Sequence, residues 1–293
     1  MDFSFTQEQE ELRREARAFL EANPEAPLAE LRELGWLGVS VPEERGGGGL
    51  SFVEEAILFE EASRALYAGP FLTTAVVLPA LPELDGQAWS VELDGLVPYL
   101  GDVDRVLTES LAAVPAVGET LPTMDETRPL GRLRQAADGH EPSLAGSFEL
   151  VRQRLLAALA VEAVGVAQKA LELAVDYVSQ REQFGRKVGS YQAVAHPLAD
   201  TYVETELARS LAYWAAWCVA EEDERAPVAV ASAKAFAAEA AVAACERSIQ
   251  AHGGIGFTWE HPLHRYYKRA QWLDAFGGHA ASHRAAVAAA VLD

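Results

Sequence analysis

The chain has 293 residues, half of them apolar, and carries a formal net charge of −20. A chain of this length can bury a substantial core, and its Ala- and Leu-rich composition is typical of a helical globular protein rather than a disordered one. So acidic a protein is repelled by nucleic acid and by anionic membrane surfaces, so neither is expected as a partner. The sequence shows no basic leader and no uncharged apolar run near ~18 residues, so we expect a cytoplasmic protein.

Residues 1–70 predict an N-terminal helical domain. Two capping boxes, Thr6 with Gln9 and Ser51 with Glu54, place side chains that satisfy the free N–H groups of a first helical turn. A run of four glycines before Ser51 has no helical period and predicts a loop. The predicted helices cover approximately residues 6–23, 28–34 and 51–66.

Residues 71–146 predict a reduced middle domain of short strands and irregular structure. Prolines recur and helical period is lost from about Gly69 onward. Residues 91–93 and 105–108 are the clearest candidate strands, each only a few residues long. The Leu and Val content of the segment favours packed structure over a floppy linker.

Residues 147–293 predict a four-helix bundle, which makes the fold class mainly α. Apolar residues recur at steps of three and four over about 148–180, as on one face of a long helix. Pro197 is compatible with the first turn of a second helix. The later predicted helices cover approximately residues 196–222, 228–251 and 262–273, with a short terminal helix after Gly278. Consecutive antiparallel helices with short connections form a bundle.

Two short motifs carry candidate chemistry. The first is Arg-Glu-Gln-Phe-Gly at 181–185, where the Arg181 guanidinium can pair with a pyrophosphate and Phe184 can stack on a nucleotide ring. The alternative is an ordinary charged helix end. The second is Gln-Ala-His-Gly-Gly-Ile-Gly at 250–256, whose glycines let a ligand approach the main chain closely, or simply end a helix. No strand precedes it, so it is not the dinucleotide-binding fingerprint.

Metal chemistry has weak support in the sequence. Glu260, His261 and His264 are close enough in the chain to suggest ligands, but surface histidines are the favoured interpretation, and we predict no metal site. Cys218 and Cys245 lie in Ala-rich surroundings without metal or disulfide spacing and are expected to be small buried thiols.

Taken together, five ordered motifs make the chain resemble the acyl-CoA dehydrogenase family over nearly its whole length. They are the stretches 35–38 with 41–44, 164–167, 181–185, 191–194 and 250–257. The resemblance implies an N-terminal helical domain, a middle β-barrel-like domain and a C-terminal four-helix bundle. It also implies FAD bound across a subunit interface, with one subunit holding the flavin ring and its neighbour holding the ADP half.

The ADP half is the part of the site that this chain retains. The resemblance implies that it is contacted by a set of cofactor-binding residues, namely Arg181, Gln183, Phe184, Gln192, Gln250, His252, Gly253 and Gly254. His252 and His279 flank the glycine positions and are further candidates for a phosphate or ribose contact. The middle domain is much shorter than the family's, and Trp89 lacks the context of the tryptophan loop that lines the flavin.

The usual catalytic carboxylate is missing. Ungapped alignment places Gly277 where the commoner family position holds Glu, and Leu155 near the alternative position on the first bundle helix. Glu162, about two turns past Leu155, is a weak substitute and is more simply interpreted as a polar contact between helices or at an interface. The sequence therefore predicts no catalytic residue on this chain.

The resemblance accordingly predicts one subunit of an α2β2 acyl-CoA dehydrogenase, similar to the short subunits found in actinobacterial steroid side-chain β-oxidation. A longer partner would hold the flavin ring, the base and most of the acyl-CoA site, and an electron-transferring flavoprotein is the implied acceptor. Three alternatives stay open at this point: a self-sufficient dehydrogenase with a displaced base, a non-redox acyl-CoA-binding protein or dehydratase, and a purely structural subunit.

Overall fold

The computed structural model describes residues 4–134 and 147–292, so the end of the predicted middle domain, at 135–146, lies outside the described residues, as do residues 1–3 and 293. Within the described ranges the chain is mainly helical, as predicted. The helices are α1 (Gln7–Ala22), α2 (Leu28–Glu33), α3 (Phe52–Arg64), α4 (Phe71–Val77), α5 (Phe148–Gln180), α6 (Gln192–Ala220), α7 (Ala226–His252), α8 (Leu263–Ala275) and α9 (Ala280–Leu292).

Both predicted capping boxes are confirmed. The Thr6 hydroxyl accepts from the Gln9 N–H and the Gln9 side chain accepts from the Thr6 N–H, which begins α1. Ser51 and Glu54 make a second capping box at the start of α3. These contacts satisfy N–H groups that have no partner within the helix, which is why the sequence located the helix starts closely.

The described part of the middle segment, up to residue 134, contains two small three-stranded sheets whose strands are as short as predicted. Their strands are β1 (Trp89–Val91), β2 (Val97–Pro98), β3 (Arg105–Leu107), β4 (Ala113–Pro115), β5 (Gly118–Leu121) and β6 (Leu130–Leu133). One sheet has the order β1-β3-β4 with β1 and β3 parallel, and the other is antiparallel in the order β2-β6-β5. The prediction that helical structure stops near Gly69 was wrong for residues 71–77, since every residue of α4 is buried and packing holds the helix.

The bundle helices α5 to α9 follow the prediction except at two helix starts. Helix α6 begins at Gln192 rather than at about residue 196, which puts Pro197 in the second turn, where its missing N–H removes one helical hydrogen bond. Helix α7 begins at Ala226, so Pro227 lies inside its first turn, where proline is tolerated. The segment from α7 through the following turn (Ala226–Phe257) is long and apolar enough to cross a membrane, yet 67% of its most apolar window is buried in the bundle, as in a core helix.

Helix α5 is the centre of the fold and crosses α3 at Gly165. A Cβ added at Gly165 would overlap the Ser63 hydroxyl and the Glu60 carbonyl oxygen. The stretch 164–167, one of the motifs of the resemblance, therefore serves this close helix crossing.

The middle segment is tied to the bundle by two buried ion pairs. Arg269 of α8, which is fully buried, donates from Nε to Asp125 at 2.6 Å and from Nη2 to Thr127 at 2.7 Å. Arg128 pairs with Glu162 of α5, and both side chains are buried. These contacts fix the short β segment against the helices that carry the candidate site.

Candidate functional site

A β-hairpin lies directly after α5 and carries the first motif. Its strands are β7 (Glu182–Gln183) and β8 (Arg186–Lys187). The two residues between them, Phe184 and Gly185, both have positive φ (52° and 78°), as in the tight turn that suits a two-residue hairpin. The Phe184 ring is 94% exposed at the tip. Sequence reasoning missed the hairpin, for which a Gly at the second turn position was the available signal.

A surface groove of about 780 Å³ joins this hairpin to the C-terminal end of α7. Five of the predicted cofactor residues line it, namely Arg181, Gln183, Gln250, His252 and Gly253. The groove brings together residues about seventy positions apart, because α5 and α7 pack side by side and end at the same side of the bundle.

The other three predicted cofactor residues lie beside the groove rather than in its wall. Phe184 is at the hairpin tip, Gln192 is exposed at the first residue of α6, and Gly254 is exposed in the turn after α7. Their exposure leaves them open to a ligand or chain that extends beyond the groove.

The two glycines after α7 leave open space at the groove. Gly253 has φ 63° and ψ −138°, a conformation that essentially only glycine adopts. A Cβ at Gly253 or Gly254 would have no heavy atom within 4 Å. The main chain here is thus accessible to an approaching ligand.

His252 is held in one orientation at the buried edge of the groove. It is 4% exposed, its ring stacks on Tyr177 with the centroids 4.5 Å apart, and its Nδ1 lies 2.7 Å from the Ser248 carbonyl oxygen. On its other side the His261 ring lies 4.3 Å away, centroid to centroid. Burial lowers the pKa of His252, and burial together with the neighbouring His252 and His264 lowers the pKa of His261.

The histidines predicted to lie at the surface are more buried than expected. His261 and His264 are both half-buried, and His264 packs edge-on against Trp259. His279, a further candidate for a phosphate or ribose contact, is not among the residues that line the groove, and its Nδ1 lies 2.8 Å from an Asp274 carboxylate oxygen. Among the described residues no group of three or more His, Cys, Asp or Glu side chains is placed to hold a metal. Cys218 and Cys245 are buried free thiols, as predicted.

The two expected base positions are both filled by packed protein. Gly277 has φ 74°, and a Cβ added to it would lie 2.7 Å from Leu156 Cδ2 and 3.4 Å from Leu93 Cδ2. Leu155, at the alternative position, is buried in the core. Leu93 comes from the middle segment, which therefore closes over the place where a carboxylate would project.

Glu162 is engaged in a structural contact. Its carboxylate pairs with Arg128, which also lies over the ring of Trp272 with Cζ 5.3 Å from the centroid. Burial opposes the charge of Arg128, but Glu162, Tyr99 and Asp125 together outweigh it and raise the pKa of the guanidinium. The predicted polar contact is thus present, although its partner comes from the middle segment rather than from a neighbouring helix. Trp89 is likewise structural, since its indole N–H donates to Asp85 at 3.1 Å.

The chain is a mainly α-helical bundle protein with an open surface groove, and comparison with known proteins identifies its family as one of oxidoreductases. The family model for the acyl-CoA dehydrogenase C-terminal domain matches residues 148–292, and the model for the acyl-CoA dehydrogenase N-terminal domain matches residues 6–82. The chain belongs to the acyl-CoA dehydrogenase family.

Individual relatives agree with this assignment. The acyl-CoA dehydrogenase IpdE2 of Mycolicibacterium smegmatis is 33% identical over 304 residues, which span 90% of this chain and 93% of that protein. A chain in the crystal structure of the ChsE4-ChsE5 complex from Mycobacterium tuberculosis is similar with a TM-score of 0.89 at 23% identity, covering 100% of this chain and 99% of that one. A steroid acyl-CoA dehydrogenase, Tcur3481-Tcur3483, has a TM-score of 0.80 at 25% identity, with 98% of both chains covered.

The groove residues fit part of the cofactor that this family uses, which is FAD. Arg181 offers an exposed guanidinium, and Gly253 and Gly254 leave the main chain open. Gln183 and Gln250 add amides that can donate to and accept from a nucleotide. These groups suit a nucleotide diphosphate, whereas the packed surroundings of Gly277 offer no comparable opening.

Proposed function

We propose that this chain is one subunit of a heteromeric FAD-dependent acyl-CoA dehydrogenase. It holds the ADP half of FAD in the groove between the hairpin and the end of α7, and a longer partner supplies the flavin pocket, the base and most of the acyl-CoA site. When bound, FAD accepts the hydride that leaves the β-carbon as a base removes the α-proton. The base must reach that weakly acidic proton within hydrogen-bond distance.

The observation that carries the proposal is the packing around Gly277. A carboxylate there would need a side chain on a residue with positive φ, directed into Leu156 and Leu93. Glu162 cannot replace it without leaving Arg128 as an unpaired buried charge, which is costly. The base is therefore assigned to the partner.

The similar proteins support a two-component assembly. Both structures reported above carry two protein names, ChsE4-ChsE5 and Tcur3481-Tcur3483, and the second is described as a steroid acyl-CoA dehydrogenase. On the basis of these two structures, we propose that this chain forms an α2β2 complex and that its substrate is a steroid side-chain acyl-CoA. An electron-transferring flavoprotein is the proposed acceptor, and the cytoplasm the proposed location.

The flavin content of the chain alone and of the complex tests whether FAD binding requires both subunits. FAD is quantified by absorbance and by mass for the chain alone and for the chain co-expressed with a longer dehydrogenase encoded beside it. We expect FAD only in the mixed complex, at one per pair of unlike subunits. One FAD per subunit in the chain alone, together with acyl-CoA turnover, would overturn the proposal in favour of a self-sufficient enzyme.

Substitution of Arg181 tests the cofactor contact within that complex. Arg181→Ala removes a charged hydrogen-bond donor worth roughly 1.5–3 kcal/mol, so FAD retention should weaken by about 10- to 100-fold. Arg14→Ala is the matched control, because Arg14 is an exposed α1 residue whose side chain pairs with Glu11. Unchanged FAD retention in the Arg181 variant would remove Arg181 from the site.

A further inference from the structure

The rings of His252 and His261 lie in contact at the groove, and main-chain groups set which nitrogen of each ring carries the proton. The Ser248 carbonyl can only accept, so His252 Nδ1, 2.7 Å away, is the protonated nitrogen and His252 Nε2 carries the lone pair. The Leu263 N–H can only donate, so His261 Nδ1, 3.3 Å away, is the bare nitrogen and His261 Nε2 carries the proton. The two neutral rings therefore have opposite tautomers.

Neutral rings are the stable state of the free groove. His252 is buried between Tyr177 and His261, and charging either ring would place an imidazolium against its neighbour without a paired carboxylate. The lowered pKa of both rings agrees with this arrangement.

The charged side chains that line the groove provide too little positive charge to neutralise an anionic ligand. Arg247 is engaged by Glu204, with donor–acceptor distances of 2.6 and 3.0 Å, and Glu246 adds a negative charge to the groove wall. Arg181 is then the one groove cation, among the described residues, that no carboxylate offsets. The charged or titratable groups at the groove wall are Tyr177, Arg181, Glu246 and Arg247, the last with its partner Glu204. His264 acts on His261, and the charged neighbours of His264 in turn are Arg265, Lys268 and Glu126.

We propose that a nucleotide diphosphate entering this groove draws a proton onto His252, so that cofactor binding is coupled to proton uptake. This inference rests on the proposed function, since it concerns the same ADP half-site. The diphosphate brings two negative charges against one uncompensated arginine, and Nε2 of His252 is the basic atom that the Ser248 contact leaves free. Protonation turns His252 from an acceptor into a second cation beside the phosphates.

Calorimetry with ADP-ribose tests this coupling on the full chain, or on the mixed complex stripped of FAD if only that form binds. ADP-ribose is the probe because its diphosphate keeps the same charge from about pH 5.5 to 8.5, unlike the terminal phosphate of ADP. Titrations in buffers of different ionisation enthalpy measure the protons taken up. We expect uptake approaching one proton near pH 7 and an affinity that rises by up to about tenfold for each unit of falling pH.

Variants assign the proton to its residue. His252→Gln should bind ADP-ribose with an affinity that no longer depends on pH, while the exposed control His279→Gln should keep the wild-type slope. Proton uptake is measured on the unaltered protein, so it remains decisive if His252→Gln does not fold. In that case His261→Gln and His264→Gln, each retaining uptake, would support the assignment by elimination.

The outcomes separate this inference from the proposed function. Binding that is sensitive to Arg181→Ala but shows no proton uptake, or an unchanged pH slope in His252→Gln, overturns the inference and leaves the ADP half-site standing. Failure of ADP-ribose to bind to both the chain and the stripped complex overturns the half-site and the inference together.

Discussion

Gly277 and Gly86 have nearly the same backbone angle, with φ of 74° and 71°, but different surroundings. An added Cβ at Gly86 meets no heavy atom within 4 Å, whereas at Gly277 it lies 2.7 Å from Leu156 Cδ2. Gly86→Ala should therefore cost only the positive-φ penalty of about 1–2 kcal/mol, while Gly277→Ala adds overpacking of roughly 1–3 kcal/mol. Urea denaturation measures both losses. Equal losses of unfolding free energy in the two variants would mean that Leu156 moves aside without cost and that position 277 can accept a side chain. A catalytic base at that position would then be possible.

Lys234 is a buried lysine of α7 whose ammonium group donates hydrogen bonds to main-chain carbonyls on either side of Gly277. Its Nζ donates to the Leu273 carbonyl at 2.6 Å and to the Gly278 carbonyl at 3.4 Å. Burial lowers its pKa to about 8, although Asp274 opposes that effect. The unfolded chain, with an ordinary lysine pKa, therefore binds more protons between pH 8 and about 10, and folding stability must rise with pH in that window.

This pH dependence can be measured as the difference in unfolding free energy between the wild-type protein and a variant without the lysine. From pH 8 to 10, wild-type protein should gain stability relative to Lys234→Met with a slope of at most about 1.4 kcal/mol per pH unit. Burial raises the pKa of several tyrosines above the ordinary value near 10, so they also affect stability near pH 10, but they do so equally in both proteins and the difference removes their effect. Parallel stability curves would show that Lys234 titrates as an ordinary exposed lysine.

Among the helices, the crossing of α3 over α5 depends on the absence of a side chain at Gly165. In an isolated helix, Gly→Ala stabilises by up to about 1 kcal/mol, but here the added methyl group would overlap the Ser63 hydroxyl and the Glu60 carbonyl. We expect Gly165→Ala to destabilise by about 1–3 kcal/mol in urea denaturation. Adding Ser63→Ala should recover only part of the loss, because the Glu60 carbonyl is main chain and remains. A stabilising Gly165→Ala would mean that the helices separate without cost.

Long helices were predictable from the sequence, whereas short elements that depend on packing were not. Residues 148–180 show apolar period over nine turns, and the capping boxes at Thr6 and Ser51 act through local contacts that are legible in the sequence. Helix α4 is rich in β-branched residues and is helical because all of it is buried, which no local pattern reveals. The hairpin at 182–187 has two-residue strands that are too short for any alternation.

The candidate site likewise has features that the sequence predicts and features that depend on packing. The residue types at Arg181 and Gly253 indicate phosphate binding without any knowledge of the fold. Their proximity in space comes from the packing of α5 beside α7. The local patterns do not contain that proximity, and only the resemblance to a known family predicted it. The contact of His252 with His261 joins the end of α7 to the segment before α8, and periodicity contains no information about such a turn.

At the scale of the whole molecule, the buried ion pairs between the middle segment and the bundle make the reduced β structure part of one unit. Arg269 has Asp125 as its carboxylate partner, and the guanidinium also donates to Thr127 and to the Tyr67 carbonyl. Because Leu93 of the same segment covers Gly277, loosening this attachment would also uncover the closed base position.

Asp125→Asn tests how strongly the segment is held. The substitution keeps the side-chain shape but leaves the fully buried Arg269 without its counter-charge, so we expect a loss of about 3–5 kcal/mol at pH 7. Asp223→Asn is the matched control, since its partner Arg225 is more than half exposed and solvent screens the pair, so this substitution should change stability little. Urea denaturation followed by tryptophan fluorescence and by far-UV circular dichroism measures both, and coincident transitions would indicate that segment and bundle unfold together.

The pH dependence of the same variant gives a second, independent readout. Burial opposes ionisation of Asp125, but Arg269 and the Thr127 hydrogen bonds outweigh it and lower the carboxyl pKa. A lowered carboxyl pKa contributes stability that is present above the unfolded value and is lost as the pH falls through the folded value. The stability gap between wild type and Asp125→Asn should therefore narrow below about pH 4. A gap that stays constant into acid would mean that the carboxylate charge is not what holds Arg269, and the attachment of the middle segment would then rest on its apolar contacts with α5.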